Sequence, residues 1–325
     1  MYSSCQKCID FNKKVRKALT ISGPGLHPTT LELAYMVNLE YYVDIGYDCV
    51  HMIPESKGAK IKISEMIKFL EEKHWEVGTR TNYEGKIILI QRIFTEWGNK
   101  LGFKCSSFLN HPAKQLVIVH RGTELTNLWQ ISADIQIALN KITSDIVAKA
   151  DWHTLQSLLN NALKLDEKTR KFVRNNYSVT ITGHSLGGWL AQLCTLLRKY
   201  PEFFPVGPRG TFSFGNNTML DMNQSYNLHC VAFDSPGANA VLNRLREDPA
   251  WLNGGPRNVE IAFKDLDITV YLANKNLVNM CGTHTGTVKT IDVMSDASFL
   301  TRKLNPIASH SMEGILTYFQ SNPNA

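Results

Sequence analysis

The amino-acid sequence predicts an α/β protein with a central, mostly parallel sheet, preceded by a helical N-terminal region. In the first hundred residues, apolar side chains recur mainly at helical spacing. From about residue 103, short apolar runs of strand length alternate with helical segments, the pattern of parallel strands joined by crossover helices. A glycine-rich turn at residues 182–188 separates one such strand from the next helix. We therefore predict a helical region over residues 1–102 and an α/β domain over residues 103–325.

Composition and charge limit the classes of protein to consider. Hydrophobic residues make up 43% of the 325 and charged residues 20%, values that fit a globular chain and exclude collagen-like or disordered sequences. The net charge of +6 is modest, and Lys-Arg runs with interleaved aromatic residues are absent. We therefore predict no nucleic-acid partner. The charge is compatible with weak peripheral contact with an acidic lipid surface.

The N-terminus and the cysteines point to no targeting or metal-binding segment. No apolar run reaches about 18 residues, and the first residues lack the apolar core of a signal peptide. We predict a cytoplasmic protein, or a secreted one if a leader precedes this sequence. Cys5 and Cys8 form a CxxC without a second pair, and there is no HExxH, so we predict no metal site.

The elements of the N-terminal region follow from capping and periodicity. Thr29 and Glu32 have capping-box spacing and open a helix whose apolar stripe includes Tyr41. A second amphipathic helix is centred on Met66, and residues 85–102 hold a third apolar stretch.

From residue 103 the pattern changes to alternating elements. Two apolar runs flank turn residues at 110–114 and predict a β-hairpin. We predict helices over 127–141, 152–173, 189–199, 240–246 and 312–319, and strands over 177–182, 228–233, 268–273 and 288–293.

The turn TGHSLGG at residues 182–188 carries the strongest chemical signal. It follows a β-type run and opens an apolar helix, which is the context of a nucleophile elbow. Such a turn would present Ser185 at the carboxyl end of the sheet, beside a helix N-terminus whose N–H groups favour a developing oxyanion. The backbone N–H of Leu186, the residue after the nucleophile, is the first predicted oxyanion donor. The alternative is an ordinary serine in a strand-to-helix turn.

A serine nucleophile needs a base, and in this arrangement the base follows the acid in the chain. The histidines after Ser185 are His229, His284 and His310. His229 begins a predicted strand and lies at the wrong end of the sheet, whereas His284 and His310 lie in loops. We favour His310, because it directly precedes the last helix.

The acid must also lie at a strand's carboxyl end. Asp234 directly follows the run 228–233, whereas Asp265 and Asp267 precede the next strand. We therefore predict Asp234 as the acid. Its alternative role is to cap the following Ser-Pro-Gly turn.

A second oxyanion donor is expected after an early strand. The strand at 116–119 is followed by Arg121, Gly122 and Thr123. Gly122 permits close backbone approach, and Thr123 offers its N–H and hydroxyl. For Arg121 we expect a structural ion pair with Asp134.

Together these motifs resemble the class 3 (fungal-type) lipases of the α/β-hydrolase superfamily, over about residues 103–319. The resemblance rests on HRGT (120–123), NLW (127–129) with Asp134, GHSLG (183–187), FDSPG (233–237), HTG (284–286) and His310. It implies the α/β-hydrolase fold, ester hydrolysis through an acyl-enzyme, no metal or organic cofactor, an oxyanion donor at Thr123 and a lid over residues 125–138.

One position departs from the family pattern. Class 3 lipases carry the acid after the next strand, where this chain has Asn276, and most have glycine where this chain has Asp234. Pancreatic-type lipases carry their acid after the earlier strand. Either the acid has moved to Asp234, or the triad is impaired with Asn276 at the alternative acid position.

The sequence thus predicts a serine hydrolase that cleaves carboxylic ester bonds of acyl lipids, as a lipase, phospholipase or esterase. Two alternatives remain open at this point. One is a catalytically impaired binding or regulatory protein with a lipase fold, and the other is an acyltransferase or thioesterase that uses the same triad.

Overall fold

The description of the fold rests on a computed structural model. It describes residues 26–42, 57–77, 79–81, 87–89, 105–110, 112–122, 177–199, 227–240, 242–243, 266–295 and 308–325. Several predictions lie outside these residues: the CxxC, the helices over 127–141 and 152–173, the lid over 125–138, Asp134 and the oxyanion donor Thr123. Of the helix predicted over 240–246, only residues 240 and 242–243 are described, and they are helical.

Among the described residues, the central sheet has seven strands. In their order across the sheet they are β1 Glu76–Val77, β4 Cys105–Asn110, β5 Gln115–His120, β6 Ser178–His184, β7 Asn227–Phe233, β8 Ile268–Leu272 and β9 Thr287–Thr290. The five strands from β5 to β9 are parallel, and β1 and β4 are antiparallel to their neighbours. The predicted mostly parallel sheet is confirmed. All residues of β5 and β6 are buried, as expected for central strands covered on both faces.

The predicted hairpin joins β4 and β5. Their register runs from Asn110 opposite Gln115 to Cys105 opposite His120. The Asn110 side-chain oxygen accepts a hydrogen bond from the Ala113 N–H at 3.0 Å and closes the turn.

In the part of the chain that the structure describes, four long helices accompany the sheet: α1 Thr30–Tyr42, α2 Lys57–Glu72, α3 Leu186–Lys199 and α4 Met312–Ser321. Helix α3 follows β6 directly and packs against β5, β6 and β7. Helices α1 and α4 pack against each other and share an apolar cluster with β5, β7 and β8. The apolar cluster includes Leu33, Val117, Phe233, Tyr271 and Phe319. The N-terminal helix therefore completes the core of the sheet.

The predicted capping box forms at the start of α1. The Thr29 N–H and hydroxyl donate to the Glu32 carboxylate at 2.8 and 2.7 Å, and the Glu32 N–H reaches the Thr29 hydroxyl at 3.3 Å. Trp75 adds a third bond to this carboxylate at 2.9 Å.

The N-terminal region is less helical than predicted. After α2 the chain forms β1, then β2 Thr79–Thr81 and β3 Ile87–Leu89, which pair with each other in a separate two-stranded sheet. Strand β3 lies inside the apolar stretch 85–102, within the region 1–102 that is predicted to be mainly helical. Because β1 pairs with β4, the region before residue 103 also contributes an edge of the central sheet. The domain boundary at residue 103 stays a prediction.

Within the described part of the chain, no helix combines the length and the apolar character needed to cross a bilayer.

Candidate active site

Ser185 occupies a sharp turn between β6 and α3. Its backbone has φ 57°, in the left-handed region that residues other than glycine rarely adopt. The Ser185 N–H donates to the Phe233 carbonyl of the neighbouring strand at 3.0 Å, which ties the turn to β7. The predicted strand-to-helix turn is thus present, and it places Ser185 at the carboxyl edge of the sheet.

The turn depends on glycine at position 187. A Cβ built on Gly187 would overlap the His120 carbonyl oxygen and lie 2.8 Å from the Gly122 backbone nitrogen. In contrast, a Cβ on Gly314, in the first turn of α4, would meet nothing closer than 3.6 Å.

We predict that Gly187→Ala lowers the free energy of unfolding by about 3 kcal/mol, because rigid backbone atoms must move. Gly314→Ala is the matched control and should raise it by up to about 1 kcal/mol, since alanine favours the helix. Urea denaturation of both variants measures the difference. Equal stability of the two variants would contradict the crowding at position 187.

His310 lies beside Ser185 although 125 residues separate them in the chain. It ends a short 3-10 turn, Ala308–His310, directly before α4. Its Nε2 atom is 2.9 Å from the Ser185 hydroxyl, and its side chain is fully buried. The structure therefore brings the predicted nucleophile and the predicted base within hydrogen-bond distance.

Asp234 supports the other side of the His310 ring. It directly follows β7, has φ 43° and is fully buried. Its Oδ2 atom lies 2.5 Å from His310 Nδ1. Burial alone raises the pKa of Asp234, but the hydrogen bond and charge of His310, with a bond from Asn279, hold that pKa below its ordinary value. Asp234 is thus a carboxylate aligned with the predicted base.

The other candidate histidines lie elsewhere. His229 Nδ1 contacts Asp267 at 2.9 Å, near the start of β8 and away from the carboxyl edge. His284 Nε2 is 2.9 Å from the Asn279 backbone oxygen. Neither of these two histidines is hydrogen-bonded to Ser185.

Asn276, the alternative acid position, contacts the predicted acid itself. Its side-chain Nδ2 donates to Asp234 Oδ2 at 2.7 Å. Asn279, which the sequence reasoning did not single out, donates to Asp234 Oδ1 at 2.7 Å. The sequence feature that could have identified Asn279 is its spacing of three residues from Asn276 in the turn after β8. At this spacing, both side-chain amides can point to the same strand end.

The structure describes part of the predicted oxyanion hole. Leu186 is the first residue of α3, so its N–H belongs to the helical turn that lacks intrahelical acceptors. The Gly122 backbone lies close to the nucleophile, because a Cβ on Gly122 would be 3.1 Å from the Ser185 Cβ. Next to it, the Arg121 guanidinium lies 5.9 Å from the centre of the Tyr41 ring.

His184, which is buried, and Tyr41, which is half-buried, form a polar pair next to Ser185, Asp234 and His310, and this pair was not identified from the sequence. The Tyr41 hydroxyl is 2.8 Å from His184 Nδ1, and the His184 and His310 ring centres are 4.5 Å apart. Burial, followed by the charge of His310, lowers the pKa of His184 to about 3. Burial also raises the pKa of the Tyr41 hydroxyl. Tyr41 belongs to helix α1, so this helix contacts the candidate site through the uncharged pair of Tyr41 and His184.

The depressed pKa of His184 predicts a stability loss on acidification. Below pH 6.5 the unfolded chain protonates this histidine and the folded protein does not, so lowering the pH favours the unfolded state. Between pH 7 and 5 we expect wild type to lose about 2 kcal/mol more than His184→Gln. Urea titrations of both proteins at the two pH values provide the measurement. Parallel losses would show that His184 is protonated in the folded state.

One group of possible metal ligands occurs among the described residues. His184, Asp234 and His310 offer donor atoms within 4.8 Å of one another. Hydrogen bonds already join His310 to both Asp234 and Ser185. This arrangement is typical of a proton-transfer chain rather than of a metal site.

Comparisons with known proteins agree with this architecture. Residues 117–234 match the family model Lipase (class 3), which confirms the predicted resemblance to that family. The mostly parallel sheet and the serine elbow between β6 and α3 define an α/β-hydrolase fold. A search of curated proteins found no match.

Solved structures similar to the chain include several fungal lipases. The Lip2 lipase from Yarrowia lipolytica is 15% identical, with 86% of this chain and 90% of that chain covered and a TM-score of 0.40. A deletion mutant of the Rhizomucor miehei lipase propeptide complex is 13% identical, with coverage of 89% and 68% and a TM-score of 0.38. Lipase II from Rhizopus niveus is 12% identical, with coverage of 82% and 74% and a TM-score of 0.34.

Proposed function

We propose that this protein is a carboxylic ester hydrolase of acyl lipids, with Ser185 as nucleophile, His310 as general base and Asp234 as acid. The observation that carries the proposal is the continuous chain of hydrogen bonds from Ser185 through His310 to Asp234. Each member is buried and follows a different strand or turn at one edge of the sheet. The match of residues 117–234 to the class 3 lipases supports the ester substrate.

The first half-reaction forms an acyl-enzyme. The Ser185 oxygen attacks the ester carbonyl carbon while His310 Nε2 accepts the hydroxyl proton. Asp234 stabilises the resulting imidazolium through Nδ1. The oxyanion is stabilised by the Leu186 N–H and by Thr123 as the second donor. His310 then protonates the leaving alcohol, and the bond between the acyl carbon and the alcohol oxygen breaks.

The second half-reaction returns the enzyme to its starting state. A water molecule attacks the acyl carbon and loses a proton to His310. The bond to the Ser185 oxygen then breaks, and that oxygen regains a proton from His310. The products are a carboxylic acid and an alcohol, and no cofactor takes part.

The substrate class proposed is an acyl ester of a lipid, met at a lipid–water interface by peripheral contact. The family match favours this over a small soluble ester. Turnover of long-chain p-nitrophenyl esters should therefore exceed turnover of short-chain esters at equal concentration below KM.

Covalent labelling tests the nucleophile directly. We expect a fluorophosphonate probe to label the wild-type protein at Ser185 in a 1:1 ratio and to leave Ser185→Ala unlabelled. Ser321→Ala, a serine substitution at the exposed end of α4, is the matched control and should label like wild type. Absence of labelling together with absence of ester turnover would overturn the proposed function and favour a binding protein with this fold.

A further inference from the structure

The Asp234 carboxylate accepts hydrogen bonds from four donors. His310 and Asn276 contact Oδ2, at 2.5 and 2.7 Å. Asn279 and the Ala273 backbone N–H contact Oδ1, at 2.7 and 2.9 Å. Three of these donors come from the segment that follows β8, the place where the family carries its acid.

The backbone of this segment fixes the orientation of both amides. The Asn276 side-chain oxygen accepts from the N–H groups of Val278 and Asn279, at 3.0 and 2.9 Å. The Asn279 side-chain oxygen accepts from the Asn276 N–H at 3.1 Å. Backbone donors on both amide oxygens orient each side chain so that its NH₂ group, not its oxygen, faces Asp234, and these NH₂ groups also donate to the backbone oxygens of Asn274 and Ala273. These side chains are almost completely buried, at 1% and 6% exposure.

A carboxylate at position 276 would not fit the same set of partners. It could accept the two backbone N–H groups, but it has no proton to give Asp234 unless it stays protonated. Two carboxylates at hydrogen-bond distance in a buried site cannot both ionise. An amide at position 276 is therefore the chemical complement of a carboxylate at position 234.

We propose that Asn276 and Asn279 are positioning residues, an amide clamp that holds Asp234 ionised and aligned with His310 Nδ1. On this view Asn276 is not a defective acid but a required partner of the relocated one. The proposal rests on the proposed function, because it assigns the clamp a part in the same reaction.

Kinetics of alanine variants test the clamp. Asn276→Ala and Asn279→Ala should each lower kcat tenfold or more, with KM changed less than twofold, because misalignment of the base affects the transition state. Asn274→Ala is the matched control from the same segment. Its side chain donates to Asp292 and accepts from the Val293 N–H, at 2.8 and 2.9 Å, and is not hydrogen-bonded to Asp234. If Asn274→Ala lowers kcat as much as the other two variants, the clamp is overturned in favour of a general effect on folding.

The pH dependence of stability tests the clamp without any activity measurement. In Asn276→Asp the new carboxyl faces Asp234, so its pKa in the folded state is raised above the unfolded value. The stability of this variant should then fall as the pH rises from 5 to 8, seen as a drop in its urea midpoint relative to wild type. Adding Asp234→Asn should remove that drop, because only one carboxyl remains.

The two readouts separate the clamp from the proposed function. A wild-type protein without turnover would end the hydrolase proposal, and the urea midpoints would still report on the contact between positions 276 and 234. An Asn276→Asp midpoint that follows wild type from pH 5 to 8 would overturn the clamp even in an active enzyme.

Discussion

Ser185→Ala is expected to lower kcat for p-nitrophenyl esters by about 10⁴- to 10⁶-fold, the loss seen when serine hydrolases lose their nucleophile. Removal of the hydroxyl leaves no atom to form the acyl-enzyme, whereas binding contacts remain. The fold should persist, because alanine at φ 57° is no more strained than the serine it replaces. Steady-state kinetics with urea denaturation of the same samples provide the measurement.

A double variant tests whether Ser185 and His310 act together in catalysis. His310→Ala alone should cause a similar loss, and the double variant should be little worse than either single variant, because the two residues act as one unit. Ser321→Ala should keep wild-type kinetics. A Ser185→Ala variant with a tenth of wild-type activity would show that another group attacks the ester.

Local sequence patterns, each only a few residues long, were enough to predict most of the sheet and the residues that meet in the candidate site. The glycine-rich turn around Ser185 and the aspartate directly after β7 are local patterns, and the parallel sheet brings strand ends together at one edge. His310 was chosen by its place before the last helix. The structure places these three residues in hydrogen-bond contact, and their catalytic roles stay predictions.

Long-range side-chain pairing was not accessible from one sequence. Comparison with the family pattern alone suggests that the acid is missing at Asn276. Its hydrogen bond to Asp234 joins residues 42 positions apart in the chain, and only the structure shows it. The Tyr41 contact with His184 spans 143 residues. Strands as short as β1 have too few residues to establish a period of two, so their pairing partner defines them.

Asp234→Asn is the second prediction with a large expected effect. We expect kcat to fall by about 10⁴-fold with little change in KM, the loss found when the triad acid of a serine protease becomes an amide. A neutral amide cannot stabilise the imidazolium that forms during attack. It also presents an NH₂ group to His310, Asn276 or Asn279, which are donors toward this side chain. The substitution therefore removes the charge and mismatches the hydrogen bonds around it.

The matched control is Asp267→Asn, because Asp267 also contacts a histidine but lies outside the candidate site. Its carboxylate is 60% exposed and lies 2.9 Å from His229 Nδ1, so kcat should change less than twofold. Activity retained in Asp234→Asn would refute the relocated acid. A gain in kcat for Asn276→Asp would point instead to the family's usual acid position. If Asp234 is the acid, kcat of Asn276→Asp should instead fall. The second carboxyl at position 276 would compete with Asp234 for the same proton and the same histidine.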